Sequence, residues 1–165
     1  MKWFTNPQTL EDLKKQYKAL VFAHHPDKGG RTEDMQEINA EYEALFARLK
    51  NVRKSADGTI YTAKEENTET AEIFREILEK LIKLDGLYIE VCGTWVWVTG
   101  KTYDNRDALK ELHFKYSKQK NAWYWHEEGY HKLSRRSLTL NEIRALYGSE
   151  RVTDNHQMTI AEAQA

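Results

Sequence analysis

The chain reads as an α+β protein: an antiparallel helical hairpin, then a small domain with a short antiparallel sheet and flanking helices. Three observations predict this. Two apolar stripes at helical spacing flank a polar turn within residues 1–50. Short runs rich in Val, Ile and Trp alternate after Gly86. Helical and strand patterns then interleave at a scale suited to one small domain.

The first helix is set by Leu10, Leu13, Tyr17, Leu20 and Val21. Thr9 and Asp12 have capping-box spacing, which starts the helix at Leu10. Asp12 is shorter than the usual Glu or Gln, so it reaches the Thr9 N–H less well. Pro26 stops the helix, because it lacks an N–H and its ring clashes with the preceding turn. It also turns His25 away from helical angles. His25-Pro26-Asp27, followed by Lys28-Gly29-Gly30, is therefore expected at an exposed hairpin tip. A polar tip on a two-helix stem points to contact with another protein. Thr32 is the expected N-cap of the second helix, with Glu33 and Asp34 at the positive end of its dipole. Met35, Ile38, Tyr42, Leu45, Phe46 and Leu49 form its apolar stripe.

Residues 51–68 read as a linker, polar and without a sustained period. Asp57-Gly58 marks a turn within it. The second domain is expected over 69–152. Ile73, Ile77, Leu78, Leu81, Ile82 and Leu84 give a helix ending near Gly86. Leu87–Cys92 and Thr94–Thr99, split by Gly93, give a tight hairpin with Trp95 and Trp97 on one face. A helix over 105–114, a strand over 122–126 and a closing helix over 138–147 complete the order. The tail 153–165 is expected to be disordered.

Composition narrows the class. Of 165 residues, 40% are hydrophobic and 31% charged, and the net charge is −1, which singles out no partner. The one cysteine, Cys92, excludes an intrachain disulfide framework and fits a reducing, cytoplasmic setting. No apolar run has the length of a signal peptide or a membrane span, so no membrane partner is expected.

Leu13-Lys14-Lys15-Gln16-Tyr17-Lys18-Ala19-Leu20, then His25-Pro26-Asp27, then Ile38-Asn39-Ala40-Glu41-Tyr42-Glu43-Ala44-Leu45, resembles a J-domain, the DnaJ-like module. The resemblance covers about a third of the chain and implies a DnaK-type chaperone ATPase as partner. It implies His25, Pro26 and Asp27 as the trigger, and Lys14, Lys15 and Lys18 as a basic face that steers the partner. It implies Tyr17, Leu20, Ile38, Tyr42 and Leu45 as the hairpin core. Ala19 and Ala23 stand where many members carry a further cation. The usual first helix is reduced to Met1–Phe4 and a loop, with Trp3 and Phe4 expected in its place. The Lys-Gly-Gly after the signature is similar to viral tumour antigens, whose small forms carry cysteine clusters absent here.

A second dense signal lies over residues 95–126. Lys115 to Arg136 holds six Lys or Arg and two acids, a local +4, whereas Lys64 to Glu90 is a local −4. Lys115, Lys118, Lys120, Arg135 and Arg136 interleave with Tyr116, Trp123 and Tyr124. Cations neutralise phosphates and aromatic faces stack on bases, so this set is a nucleic-acid candidate. A core face is the competing reading, since only one side of Trp123-Tyr124-Trp125 points outward. This region is similar to the C-terminal part of short J-domain proteins of bacteriophages and mobile elements. It also faintly resembles the HARP module of annealing helicases.

His126 and His131 lack a second ligand pair for zinc, and no phosphate loop or nucleophile elbow is present. No cofactor, metal or catalytic residue is expected, and no enzyme. Two functions stay open. One is an adaptor that recruits a DnaK-type ATPase to a host or phage target, in the host cytoplasm if phage-encoded. The other is a DNA- or RNA-binding accessory protein in replication or anti-defence.

Overall fold

In the computed structural model, Thr9 caps helix α1 (Leu10–His24) as its spacing predicts, accepting from the Asp12 N–H at 3.2 Å. The short Asp12 carboxylate reaches the Gln8 N–H at 3.3 Å. Helix α2 spans Thr32–Leu49, so Thr32 is its first residue and not its cap. Arg31 holds the cap position without a side-chain bond. Tyr17 and Tyr42 are fully buried and stack at 3.9 Å between the two helices. Leu20 is only half-buried, and Val21 takes the core position beside it.

The structure describes residues 1–55, 57–64, 69–126, 137–147, 152–153 and 156–157. Two compact units divide it, Met1–Leu84 and Asp85–Ala165. The expected boundary at 51–68 differs from this division for a physical reason. Helix α3 (Ala71–Leu81), capped by Thr70, packs on the hairpin. Its Phe74 is fully buried, with ring centres 6.1 Å from Tyr17 and 6.3 Å from Tyr42. Arg75 adds an ion pair to Glu43 of α2. The supposed linker also holds two strands, β1 (Val52–Lys54) and β2 (Ile60–Thr62), paired antiparallel. Three residues per strand are too few to show a period. The turn between them follows the Asp57-Gly58 signal: Gly58 has φ +90° and Asp57 accepts from the Thr59 N–H at 2.9 Å. The Ser55 hydroxyl, with that Thr59 bond, pulls the exposed Asp57 carboxyl down to about 2.

No helix precedes α1. Met1 to Phe4 instead form a strap tied to two carboxylates of α2. Glu41 accepts from the backbone N–H groups of Lys2 (3.1 Å), Trp3 (3.2 Å) and Phe4 (3.4 Å). Glu37 accepts from Lys2 Nζ at 2.5 Å and from Trp3 Nε1 at 3.1 Å. Phe4 is buried and stacks at 6.4 Å on Tyr42, as expected for a substitute for the missing helix. Gln16 clamps Thr5 through both backbone groups.

The second unit is built on a six-stranded antiparallel sheet, order β5-β6-β4-β3-β7-β8. Its strands are β3 (Leu87–Cys92), β4 (Trp95–Gly100), β5 (Lys115–Ser117), β6 (Ala122–Trp125), β7 (Val152–Thr153) and β8 (His156–Gln157). Gly93, at φ +62°, makes the tight β3–β4 turn. Helix α4 is shorter than expected, Arg106–Glu111, and the chain breaks out of it through His113 at φ +64°. Strand β5 lies at the start of the basic stretch that follows α4. Thr153 and His156–Gln157 are paired strand residues within the expected disordered tail; the other residues of that tail lie outside the described ones. Helix α5 (Leu140–Tyr147) starts with a capping box. Thr139 accepts from the Glu142 N–H at 3.2 Å, and Glu142 accepts from the Thr139 N–H at 2.7 Å.

Two stability tests follow from the first unit. The Tyr17 hydroxyl donates to Asn39 Oδ1 at 2.8 Å, whereas the buried Tyr42 hydroxyl has no partner among the described residues. Burial, reinforced by the Glu69 charge, holds the Tyr42 phenol neutral by raising its pKa well above the usual value. Tyr42→Phe should therefore leave stability unchanged or raise it by about 1 kcal/mol, and Tyr17→Phe should lower it by about 1 kcal/mol. Urea unfolding midpoints decide between them. The strap tests by pH. Its Lys2 bond draws Glu37 below the usual value. Burial works to raise Glu41, but the Lys2, Trp3 and Phe4 N–H groups outweigh it and leave it lowered. The stabilisation is then complete above the ordinary glutamate value of 4.5 and disappears as pH falls through the depressed folded values. Trp3 emission should shift in that acid window, and Glu41→Gln should bring the shift to neutral pH.

Candidate functional site

Helix α1 closes with the His25 N–H donating to Val21 O at 2.9 Å. Pro26 then holds His25 extended, at φ −64° and ψ 136°, and starts a single 3-10 turn, Pro26–Lys28. His25 caps that turn: Nδ1 accepts from the Asp27 N–H at 3.1 Å. Its carbonyl accepts from the N–H groups of Lys28 at 2.9 Å and Gly30 at 3.0 Å. With Nδ1 used as an acceptor, this bond calls for the neutral ring with its proton on Nε2.

The two glycines complete the loop for different reasons. Gly29 has φ +89°, a conformation glycine adopts without strain. Gly30 lies so close to the end of α1 that a Cβ there would sit 1.8 Å from His24 O. The Lys-Gly-Gly run is thus a steric condition for turning α1 into α2. Trp3 of the strap packs edge-on against His24, with ring centres 4.9 Å apart.

The expected exposed pair of imidazole and carboxylate is only half realised. The His25 side chain is 12% exposed and the Asp27 side chain 50%. Nδ1 lies 3.8 Å from Asp27 Oδ2, beyond hydrogen-bond range. The imidazole works inward as a loop cap, while Pro26 and the Asp27 carboxylate face solvent. With Pro26 and Asp27 exposed, this arrangement suits recognition.

The basic face differs more. Lys14 and Lys18 are fully buried and so cannot form an open cationic surface. Lys14 pairs at 2.5 Å with Glu69, their side chains 0% and 2% exposed, and its ammonium lies 4.8 Å from the Phe74 ring centre. Strand β1 runs beside α1, and α3 brings in Phe74. Lys15 is 18% exposed and held by Glu11 at 2.7 Å. The signal for this was present in the spacing. Positions 10, 13, 14, 17, 18 and 21 form one helical stripe, and two of them happen to be lysine. The J-domain resemblance implies them as an open face, but β1 and α3 form a second layer over this side of α1. Exposed cationic chemistry near the loop comes from Arg31 and, half-buried, Lys28.

In the second unit, the sequence-predicted nucleic-acid residues fall on both sides of the sheet. Register pairs Trp97 with both Glu90 and Tyr124, and pairs Lys115 with Tyr124. Trp95, Trp97, Tyr124 and His126 therefore share one face, where Trp95 stacks on His126 at 4.1 Å and on Tyr124 at 5.6 Å. Trp123 faces the other way and is buried, with Tyr116 tilted against it at 5.4 Å. Trp123 and Tyr116 thus leave the stacking set by strand alternation. The Tyr116 hydroxyl is engaged with Asn121 at 2.6 Å. Lys115 and Lys118 are exposed; Lys120 bonds Ser137 at 3.2 Å and lies 6.0 Å from the Trp97 ring centre. Arg135, Arg136 and His131 lie outside the described residues.

Helix α5 lies against the aromatic face, with Leu140 and Ile143 beside Cys92, Trp97 and Ala122. Arg144 grips the fully buried Glu90 carboxylate with Nη2 at 2.7 Å and Nε at 3.0 Å. Among the described residues, no cluster of His, Cys, Asp or Glu is arranged to hold a metal ion. No described helix is long and apolar enough to cross a membrane.

No family model matches the chain, and no solved structure matches it. DnaJ protein homolog 2 of Allium porrum is 51% identical to it over 37 residues. The match covers 22% of this chain and 9% of that protein, so the chain spans under a tenth of the relative's length in the match. Together with the helix–loop–helix geometry, the likeness supports a J-domain in the N-terminal part of this chain.

Proposed function

We propose that the chain is a co-chaperone-like adaptor that engages a DnaK-type chaperone ATPase through His25-Pro26-Asp27. The single observation behind this reading is the loop itself. His25 is spent inside as a cap, which fixes the backbone so that Asp27 is presented at a constant position. A rigid anion on a two-helix stem loses little conformational entropy on binding. The chain itself performs no catalysis in this reading; it stimulates hydrolysis on its partner. The second unit directs the chaperone to a target, and the whole acts in the cytoplasm of a host cell as a phage or mobile-element product.

Burial of Lys14 and Lys18 modifies the electrostatics of this docking. With those charges under β1 and the approach to α3, steering falls on Arg31 and Lys28 at the loop. The interaction is correspondingly weak and salt-sensitive, and its specificity rests on the loop.

Single-turnover ATP hydrolysis by a DnaK-type protein tests the reading. The wild-type chain should accelerate it, and His25→Gln or Asp27→Asn should remove the acceleration while leaving the circular dichroism spectrum unchanged. Gly30→Ala should reduce it at least tenfold through the collision with His24. A wild-type chain with no effect on hydrolysis sinks the proposal. The buried lysine gives a contrasting outcome. Lys14→Ala leaves Glu69 without its buried partner and should cost about 3–5 kcal/mol in stability. The paired change Lys14→Met with Glu69→Leu should recover most of that loss, as read by thermal unfolding.

A further inference from the structure

We infer that β2 is a docking edge for an extended, acidic polypeptide segment, which joins the β1–β2 hairpin as a third strand. The edge lies within the Met1–Leu84 unit and uses no residue of the His25-Pro26-Asp27 loop, so it stands independently of chaperone docking. Helix α2 has 18 residues, so its far end, where β1 begins, lies roughly 27 Å from the loop at 1.5 Å per residue. A segment held on β2 therefore leaves the loop uncovered.

The ladder shows which side of β2 is open. At one end the Ala63 N–H donates to Asn51 O at 2.7 Å, and at the other the Ser55 N–H donates to Thr59 O at 2.9 Å. Antiparallel pairs alternate, so between these ends Arg53 and Tyr61 exchange bonds, while Ile60 and Thr62 turn their N–H and C=O groups away from β1. The sheet has two strands, and none of those four outward groups is bonded among the described residues. Strand β1 runs beside α1, whereas all three residues of β2 are exposed. Ile60 and Tyr61, 49% and 48% exposed, put an apolar side chain on each face of the edge. A two-stranded hairpin is marginal alone, and a third strand completes it. Donors and acceptors at strand spacing select a polypeptide backbone, which offers both in return. Phosphates would meet the N–H groups and leave the carbonyls unpaired.

Charge selects the kind of segment. From Arg48 to Lys64 the chain carries five Lys or Arg and one acid, Asp57. Arg53 is spent on the Lys50 carbonyl at 2.8 Å. Lys54 and Lys64 are exposed and make no ion pair with a described residue. Lys54 is opposite Ile60 and shares its face. Cations along an edge repel a like strand and admit an acidic one. A segment that alternates apolar and acidic residues meets Ile60 and the lysines together. A second copy is the poorer occupant, because it brings two basic hairpins together. Two strands of three residues also bury less than a stable dimer needs.

A short fluorescein-labelled peptide alternating valine and glutamate, titrated with the full chain and followed by anisotropy, tests the inference. Binding should saturate and weaken with salt, and the valine–lysine counterpart should not bind. Thr62→Pro removes one outward donor without touching the bonds to β1, a change that edge strands accept. It should weaken binding about tenfold. If Thr62→Pro proves unfolded by circular dichroism, the exposed double change Lys54→Glu with Lys64→Glu decides the matter: it should lose the glutamate peptide and gain the lysine one. A glutamate peptide that fails to bind overturns the inference, as does binding indifferent to Thr62→Pro and to the charge reversal. A chain that sediments as a dimer, and as a monomer after Thr62→Pro, gives the edge to a second copy and overturns it too. So does oligo(dT) that displaces the peptide equally well, charge for charge.

Discussion

Tyr42 is the point at which the N-terminal unit is joined. Its ring meets Phe4 of the strap, Tyr17 of α1, Phe46 of its own helix and Phe74 of α3. Each such pair is typically worth about 0.5–1.5 kcal/mol beyond the area it buries. The chain's separate pieces therefore depend on one side chain. The stack on Tyr17 sets how close α1 and α2 approach. That approach brings Gly30 against His24, and only glycine fits there. The conformation of the recognition loop is thus inherited from the core some distance down the stem.

The same cluster explains why the lysines of α1 are covered. With Phe74 drawn to Tyr17 and Tyr42, Glu69 at the start of this segment lies on the flank of α1. Glu69 then arrives at Lys14 and provides the countercharge that a buried ammonium requires. Desolvating both ions offsets much of their attraction, so the pair adds little net stability. Its effect is on geometry: Glu69, two residues before α3, is fixed at one place on α1. The aromatic contact and the ion pair select the same docking of α3, which is what a uniquely folded unit needs.

Much of this was legible in the sequence where a signal was long. Both hairpin helices, the cap at Thr9 and the stop at Pro26 follow from periods of several turns or from fixed side-chain chemistry. Strands of three residues left no period, so β1 and β2 read as linker and β5 carries no strand signal. The J-domain resemblance set Lys14 and Lys18 on an open face, and helical spacing, which gives a stripe but not its width, does not contradict it. A stripe widens when a second layer covers it, and that layer lay in a segment assigned to the other domain. Phe74 was missed for the same reason: on an isolated α3 it adjoins the apolar stripe, and only the tyrosines show its importance.

In the second unit, strand parity separates the aromatic residues more strictly than composition does. Trp123, Tyr124 and Trp125 are consecutive, so Tyr124 must face opposite to its neighbours. The pairing of Trp97 with Tyr124 puts that single tyrosine beside the β4 tryptophans. A slip of one residue would move Tyr124 to the opposite face and put both tryptophans under α5. The β5–β6 turn guards against this: Asn121 takes φ +49° and accepts from the Tyr116 hydroxyl, fixing the turn from both strands. Helix α5 adds a second restraint through Arg144, which can satisfy Glu90 only while Glu90 lies on the same face as Trp97. An unpaired buried carboxylate would be the penalty for any other arrangement. The aromatic face under α5 is therefore specified by polar contacts at its edges, and the rings follow from them.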